Sequence, residues 1–233
     1  MNLTAIDLMV SESIPAAIQA QTGYSQARRY SFINRGYYKF VMATKCIEDD
    51  IDIITVDEQA EYTLTDAANL AYLYKPYEVR YIESGSTDVG YKLKPYPGGH
   101  RAIPRVKSYG RPTHYWQKFT NVHDDVIFGT WPINNADGDT ITISAFMFPA
   151  SELATGTDVP VIKEVAHDAL AYWAIAEIYR MYEHINPKWG TISRKYKGMF
   201  AEEVQSYKYF LFEDNADTLP TFLGNDDTED WDG

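Results

Sequence analysis

The stretch ALAYWAIAEIY, residues 169 to 179, constrains the fold more than any other part of this chain, because ten of its eleven residues are apolar. Thr157 or Asp158 suits an N-cap upstream of it, and Pro160 is tolerated in a first helical turn. Apolar residues then recur from Val161 to Tyr182. A helix apolar on nearly every side has to be covered on several sides. The cover comes from its own domain or from neighbouring copies of the chain.

Two further segments carry the helical period. Tyr30, Ile33, Tyr37, Val41 and Thr44 recur at spacings of three and four, which puts them on one helix face. Gly23 separates this helix from a shorter one near Ile6 to Ala20, which Pro15 interrupts or restarts. After the apolar helix, Asn186-Pro187 predicts a cap and a restart. Ile192, Tyr196, Met199 or Phe200, Val204, Tyr207 and Leu211 keep the spacing, and Gly190 and Gly198 weaken the early turns.

Between the helical segments the period changes to that of strands. DIDIITVDEQAEYTLT is β-branched, with a turn around Asp57 to Gln59. Pro and Gly punctuate the chain from Lys75 to Trp116. Ile141, Ile143, Ala145 and Met147 alternate with Thr140, Thr142, Ser144 and Phe146, and Asp137-Gly138 reads as a hairpin turn before them. Residues 67 to 74, AANLAYLY, fit a loop, a short helix or a strand. In GRPTHYWQK, residues 110 to 118, Gly110 and Pro112 set a turn, and Tyr115-Trp116-Gln117-Lys118 run into a strand with half-buried aromatics.

The expected fold class is α+β: a helical bundle built from N- and C-terminal helices, with an inserted small antiparallel β-domain and an acidic C-terminal tail. The expected divisions are helices over 1–50, the β-domain over 51–150, helices over 151–212 and the tail over 213–233. No internal repeat is evident.

Charge bounds the partners. The net charge is −12, of which the eight acids from Glu213 onward supply −8, leaving −4 on the first 212 residues. Such a balance disfavours a surface that grips phosphates, and Arg111, His114 and Lys118 are too few for a duplex-binding stripe. Aromatics make up 15% of the chain, with 19 Tyr and 5 Trp. Their amphipathic rings suit extensive interfaces or a tyrosine-rich core. Cys46 is the only cysteine, so no intrachain disulfide and no thiolate zinc site can form. MNLTAIDLMVSES lacks a basic region followed by an apolar one, and no run approaches the ~18 apolar residues of a membrane span. A soluble protein of a reducing compartment is the expectation.

Motifs for chemistry are sparse. The histidines are His100, His114, His123, His167 and His184, with no pair at the i, i+4 spacing of a helical zinc site. His123-Asp124-Asp125 and His167-Asp168 have the form of an HD metal pair, but that arrangement needs further helical ligands, and His114 and His123 read as strand and turn. INNADGDTITIS has Ile133 and Ser144 where a calcium loop needs acids. No phosphate-binding glycine loop and no GxSxG elbow occur. Carboxylates abound, yet nothing singles out two of them as a glycosidase pair.

The order of segments is informative where single motifs are not. A helical region precedes AEYTL (residues 60 to 64), then a Gly-x-Pro-x-x-Tyr strand at Gly110, Pro112 and Tyr115, then IFGTWPINNADGD and ITISAFMFP. After these, ASELATGTDVPVIKEVAHDALAYWAIAEIY leads through a proline into an alanine-rich helix. Over roughly residues 25 to 212 this succession resembles the head-to-tail adaptor (connector) proteins of tailed bacteriophages. The run between Ala67 and Ile103 and the acidic C-terminus are not mapped by it.

The resemblance implies a structural virion protein with no catalysis and no cofactor. It implies a homo-oligomeric, twelve-fold ring in the neck below the portal, extending the DNA channel and giving the tail its attachment site. Implied partners are further copies of the chain, the portal protein, and tail, nozzle or other neck proteins. DNA passes without sequence-specific binding, no membrane is involved, and assembly takes place in the host cytoplasm. The candidate interface residues are Trp173, Tyr179, Tyr207, Phe210, Phe212, Leu219, Phe222 and Leu223. The tail segment DNADTLPTFLGNDDTEDWDG reads either as a docking arm or as a solvating acidic tail. Competing readings are a stopper-like or tail-completion protein of the neck, a soluble metal-dependent hydrolase using His167 and Asp168, and a carbohydrate-binding β-module. The last leaves the apolar helices unexplained.

Overall fold

The computed structural model describes residues 1–63, 65, 67–104, 107–119 and 126–214. The chain forms two compact units. One is helical and joins residues 3–36 with the described residues from Lys163 onward, and the other comprises the described residues of Tyr37–Ile162. Helices at both ends of the chain thus flank an inserted sheet domain in the sequence, as the periodicities predict. The division between units falls inside a helix, at Gly36 and Tyr37.

The helical unit contains α1 (Leu3–Ser13), α2 (Ala16–Gln19), the first part of α3 (Gln26–Thr44), α4 (His167–Met181) and α5 (Pro187–Asp214). Pro15 separates α1 from α2, since it cannot donate the next helical hydrogen bond. Gly23, at φ +93°, makes the left-handed turn before α3. Asn186 Oδ1 accepts the Lys188 N–H at 3.1 Å, which is the cap predicted for α5.

The start of α4 differs from the expectation. Asp158 does not cap it: its carboxylate accepts the N–H groups of Ala154 (2.7 Å) and Thr155 (2.8 Å) in a separate turn. A short 3-10 turn over Glu164–Ala166 leads into α4 at His167, so the apolar residues Val161 and Val165 stay outside it and are exposed.

Within its unit α4 is covered by α1, α3 and α5. Trp173 packs edge-on to Phe200 of α5 with ring centroids 5.1 Å apart, and its Cβ lies where a side chain at Gly36 of α3 would go. Ser193 of α5 donates to the carbonyl of Ala176 (2.8 Å), and Tyr179 donates to the carbonyl of Ser13 (3.1 Å). Asp7 of α1 and Arg29 of α3 form a two-pronged ion pair, Nε to Oδ1 at 2.5 Å and Nη2 to Oδ2 at 2.8 Å. The hydrogen bond to Asp7 raises the pKa of the guanidinium above its ordinary value.

The β-unit holds two four-stranded sheets. The first contains β1 (Glu48–Ile54), β3 (Leu73–Ile82), β4 (Tyr91–Lys92) and β8 (Thr140–Met147), in the order β1-β8-β3-β4. The second contains β2 (Glu61–Tyr62), β5 (Lys94–Pro95), β6 (His114–Phe119) and β7 (Val126–Trp131), in the order β2-β7-β6-β5. Among these eight strands all pairings are antiparallel except β5 with β6.

Register explains the core. Ile51, Ile143 and Val79 lie abreast across β1, β8 and β3, and Ile53, Ile141 and Tyr81 form the next buried row. These rows join Tyr62, Val126 and Phe128 of the other sheet in one hydrophobic cluster. AANLAYLY resolves into a 3-10 turn over Ala68–Tyr72, followed by the start of β3.

Asp137-Gly138 requires a correction. Gly138 does take positive φ (+79°), so a turn is formed. The strands on either side of it are not a hairpin, because β7 and β8 belong to different sheets. The turn is instead held to the segment after β1: Gly138 N–H donates to Thr55 (3.0 Å), and Asp137 Oδ1 accepts from Asp57 N–H (2.5 Å). Asp-Gly encodes the backbone bend, while the pairing partners of β8 are chosen by burial of its Ile141, Ile143, Ala145 and Met147 face.

Candidate assembly surfaces

The four described histidines make structural contacts. His167 is buried, and its Nδ1 lies 2.7 Å from the amino group of Met1, which also meets Glu164 Oε1 at 2.8 Å. His114 lies in β6 with Nδ1 2.9 Å from Thr113 Oγ1, and His184 Nδ1 lies 3.1 Å from the Met181 carbonyl oxygen. His123, Asp124 and Asp125 fall outside the described residues. Among the described residues no group of three or more His, Cys, Asp and Glu side chains could hold a metal ion. Burial pushes the Cys46 thiol above its ordinary pKa, so little of it is nucleophilic thiolate at neutral pH.

The candidate interface residues separate into two groups. Trp173, Tyr179 and Tyr207 are buried, their rings packed against Phe200, Tyr196 and Phe210 respectively. Phe210 is 37% exposed near the end of α5, beside Tyr209 at 71%. Lys163 places its ammonium 4.3 Å from the Phe210 ring, and exposed Val165 follows two residues later. The side chain of Phe212, and Leu219, Phe222 and Leu223, lie outside the described residues.

A second surface lies on the β-unit. A pocket of about 290 Å³ is lined by Trp116 and Lys118 of β6, Thr130 and Trp131 of β7, and His100 and Lys107 of the connecting segments, with Glu61 at its edge. The position of Trp116 depends on Gly129. The two residues face each other across β6 and β7, and a Cβ at Gly129 would come within 2.2 Å of the indole. The His100 ring lies tilted against Trp116 (centroids 6.3 Å, 40° between planes), and Tyr96 meets Trp131 edge-on (6.5 Å). Ile133 closes one side through paired hydrogen bonds with Ser108 (2.8 Å) and Gly110 (2.9 Å).

GRPTHYWQK is therefore a turn and a strand, as expected, and it also supplies a wall of this pocket. Sequence order did not reveal the rest, because His100, Lys107 and Trp131 come from separate segments that only strand register gathers. The nearest signal was compositional: tryptophans and lysines clustering between residues 107 and 131 of an acidic chain.

The family model for the SU10 adaptor protein matches residues 10–221. The chain belongs to the SU10 adaptor protein family. The match runs from within α1, through both units, to beyond the end of α5, and so extends the resemblance drawn from segment order at both ends. No curated protein matches the chain significantly. Membership in this family makes the chain a structural adaptor of a phage, a virion component at the neck. Among the described residues no helix is long and apolar enough to cross a membrane.

Proposed function

We propose that this protein is a head-to-tail adaptor that assembles as a twelve-fold ring under the portal, extends the DNA channel and provides the tail with its attachment site. The observation that carries this reading is the family match over residues 10–221, a range that takes in residues of both units. The interface is assigned to the C-terminal end of α5 and beyond, through Phe210, Phe212, Leu219, Phe222 and Leu223. Tyr207 braces Phe210 from inside the helical unit, while Trp173 and Tyr179 pack farther back along α5 against Phe200 and Tyr196. Exposed Tyr209, Phe210 and Val165 support the assignment, since clustered apolar exposure marks contact surfaces.

The partners are further copies of the chain, the portal, and tail, nozzle or other neck proteins. Assembly takes place in the host cytoplasm, and DNA ejection follows through the finished channel. The acidic balance of −12 suits a conduit that repels phosphates, so that the genome slides without adhering. A channel surface lined by Lys and Arg would contradict that part of the proposal.

The test is the native mass of the purified protein, alone and mixed with the portal from the same genome. A monomer that becomes a ring of many copies on the portal is the expected result. A small oligomer indifferent to the portal would overturn the reading.

A further inference from the structure

The pocket on the β-unit has a composition unlike the rest of the chain. It joins two indoles with Lys107, Lys118 and His100, against the single acid Glu61, in a protein of net charge −12. Lys107 and Lys118 are exposed, and among the described residues neither makes an ion pair. Thr130 is 1% exposed, lines the pocket, and its Oγ1 has no hydrogen-bond partner among the described residues. A buried hydroxyl in that state is a place for a ligand's polar group. At about 290 Å³ the cavity falls just below the ~300–1,000 Å³ of small-molecule sites. That size suits one large side chain rather than a whole cofactor.

The chain itself contains a segment with the complementary chemistry. Residues 226–232, DDTEDWD, place five carboxylates around Trp231. An indole flanked by acids matches an aromatic cleft flanked by lysines: the ring stacks, and the carboxylates meet the ammonium groups. Trp231 lies 17 residues beyond Asp214, where α5 ends, a span of about 60 Å at full extension. A ring made of one repeated chain uses head-to-tail contacts, in which one surface of each copy meets a different surface of the next.

We infer that the acidic segment 226–232 is a strap that docks Trp231 into the Trp116/Trp131 pocket of the neighbouring copy, with Lys107 and Lys118 pairing its carboxylates. This rests on the ring reading above and adds to it a named contact that closes the ring. It also gives the acidic tail a role beyond solubility.

The test uses the full-length chain, prepared with natural-abundance and with ¹⁵N nitrogen, mixed in equal amounts and assembled on the portal. A carbodiimide joins lysines to carboxylates in contact, and mass spectrometry reads the isotope of each partner. Links from Lys107 or Lys118 to residues 226–232 are expected, with mixed-isotope pairs as frequent as like pairs. Rings that carry no such links, or only like-isotope links, would overturn the strap and leave the ring reading standing. Failure to form rings at all, read by native mass, would overturn both.

Charge reversal provides an independent check. The variant K107E/K118E should need about tenfold more protein for half-assembly, which is about 1.4 kcal/mol and within the reach of two exposed ion pairs. Adding D230K/D232K should restore most of that loss, and an unrestored variant would overturn the pairing. A single-stranded oligonucleotide that displaces the lysine–carboxylate links would instead assign the pocket to nucleic acid, against the proposal.

Discussion

Single residues set tolerances in both sheets of the β-unit. Gly129 has no side chain because the Trp116 indole occupies the place its Cβ would take, within 2.2 Å. Gly129→Ala should destabilise the β-unit by about 1–3 kcal/mol through overpacking. The check is a urea titration followed by tryptophan emission, with loss of the native signal at lower urea. In the other sheet the buried Tyr81 hydroxyl lies between Asn134 Oδ1 (2.7 Å) and the Asp139 carboxylate, whose other oxygen accepts Ser84 N–H (2.7 Å). Burial first, and then the Asp139 hydrogen bond, hold the Tyr81 pKa well above 10. Below pH 10 the proton is present in both states and the contribution to stability is complete. As pH rises past 10 the unfolded chain releases it and the folded one does not, so stability falls. Tyr37 and Tyr115, also raised by burial, share this alkaline limb. Tyr81→Phe should make the limb shallower by about one proton while costing about 1–3 kcal/mol at neutral pH, because the Asp139 carboxylate loses its hydroxyl donor. Thermal melts at pH 7 to 11 would measure both effects, and an unchanged alkaline slope would refute the account.

At the scale of elements, α4 organises the helical unit. Its buried faces meet α1, α3 and α5, and Trp173 alone touches Phe200 and the backbone position of Gly36. Trp173→Ala should therefore cost about 3–5 kcal/mol. The loss should appear in helical circular dichroism at 222 nm ahead of any change in the sheet unit. Unfolding of both units together at an unchanged midpoint would contradict this assignment. Because α4 finds its cover inside its own unit, its apolarity is no argument for an oligomer. The argument for assembly passes to the exposed end of α5 and to the pocket of the β-unit.

At the scale of the whole molecule, charge is the adjustable variable. Copies that each carry −12 repel one another when brought together. Raising ionic strength from 0.01 to 0.15 M shortens the screening length from about 30 to 8 Å. Ring formation on the portal should become more favourable over that interval, as light scattering or native mass would register. A strict decline with salt would mean that attraction between the acidic tail and the basic pocket outweighs the repulsion between bodies.

The sequence by itself determined the segment order and the faces. The spacing of Ile33, Tyr37 and Val41, the alternation through Thr140–Met147 and the cap at Asn186 are local patterns, written in neighbouring residues, and each is seen in the structure. Segment order was also enough to identify a phage adaptor family. Only the tertiary structure decided which strands pair, where α4 begins and what lines the pocket. An Asp-Gly bend serves a hairpin or a crossing between sheets equally well, and burial of distant strands chooses between them. Asp158 has cap chemistry in either place, and the turn at Ala154 and Thr155 claimed it first. Trp116, Thr130 and Trp131 meet His100 and Lys107 only because β6 and β7 align Trp116 with Gly129. A site assembled by register has no local signature, since its residues share a place without sharing a sequence neighbourhood.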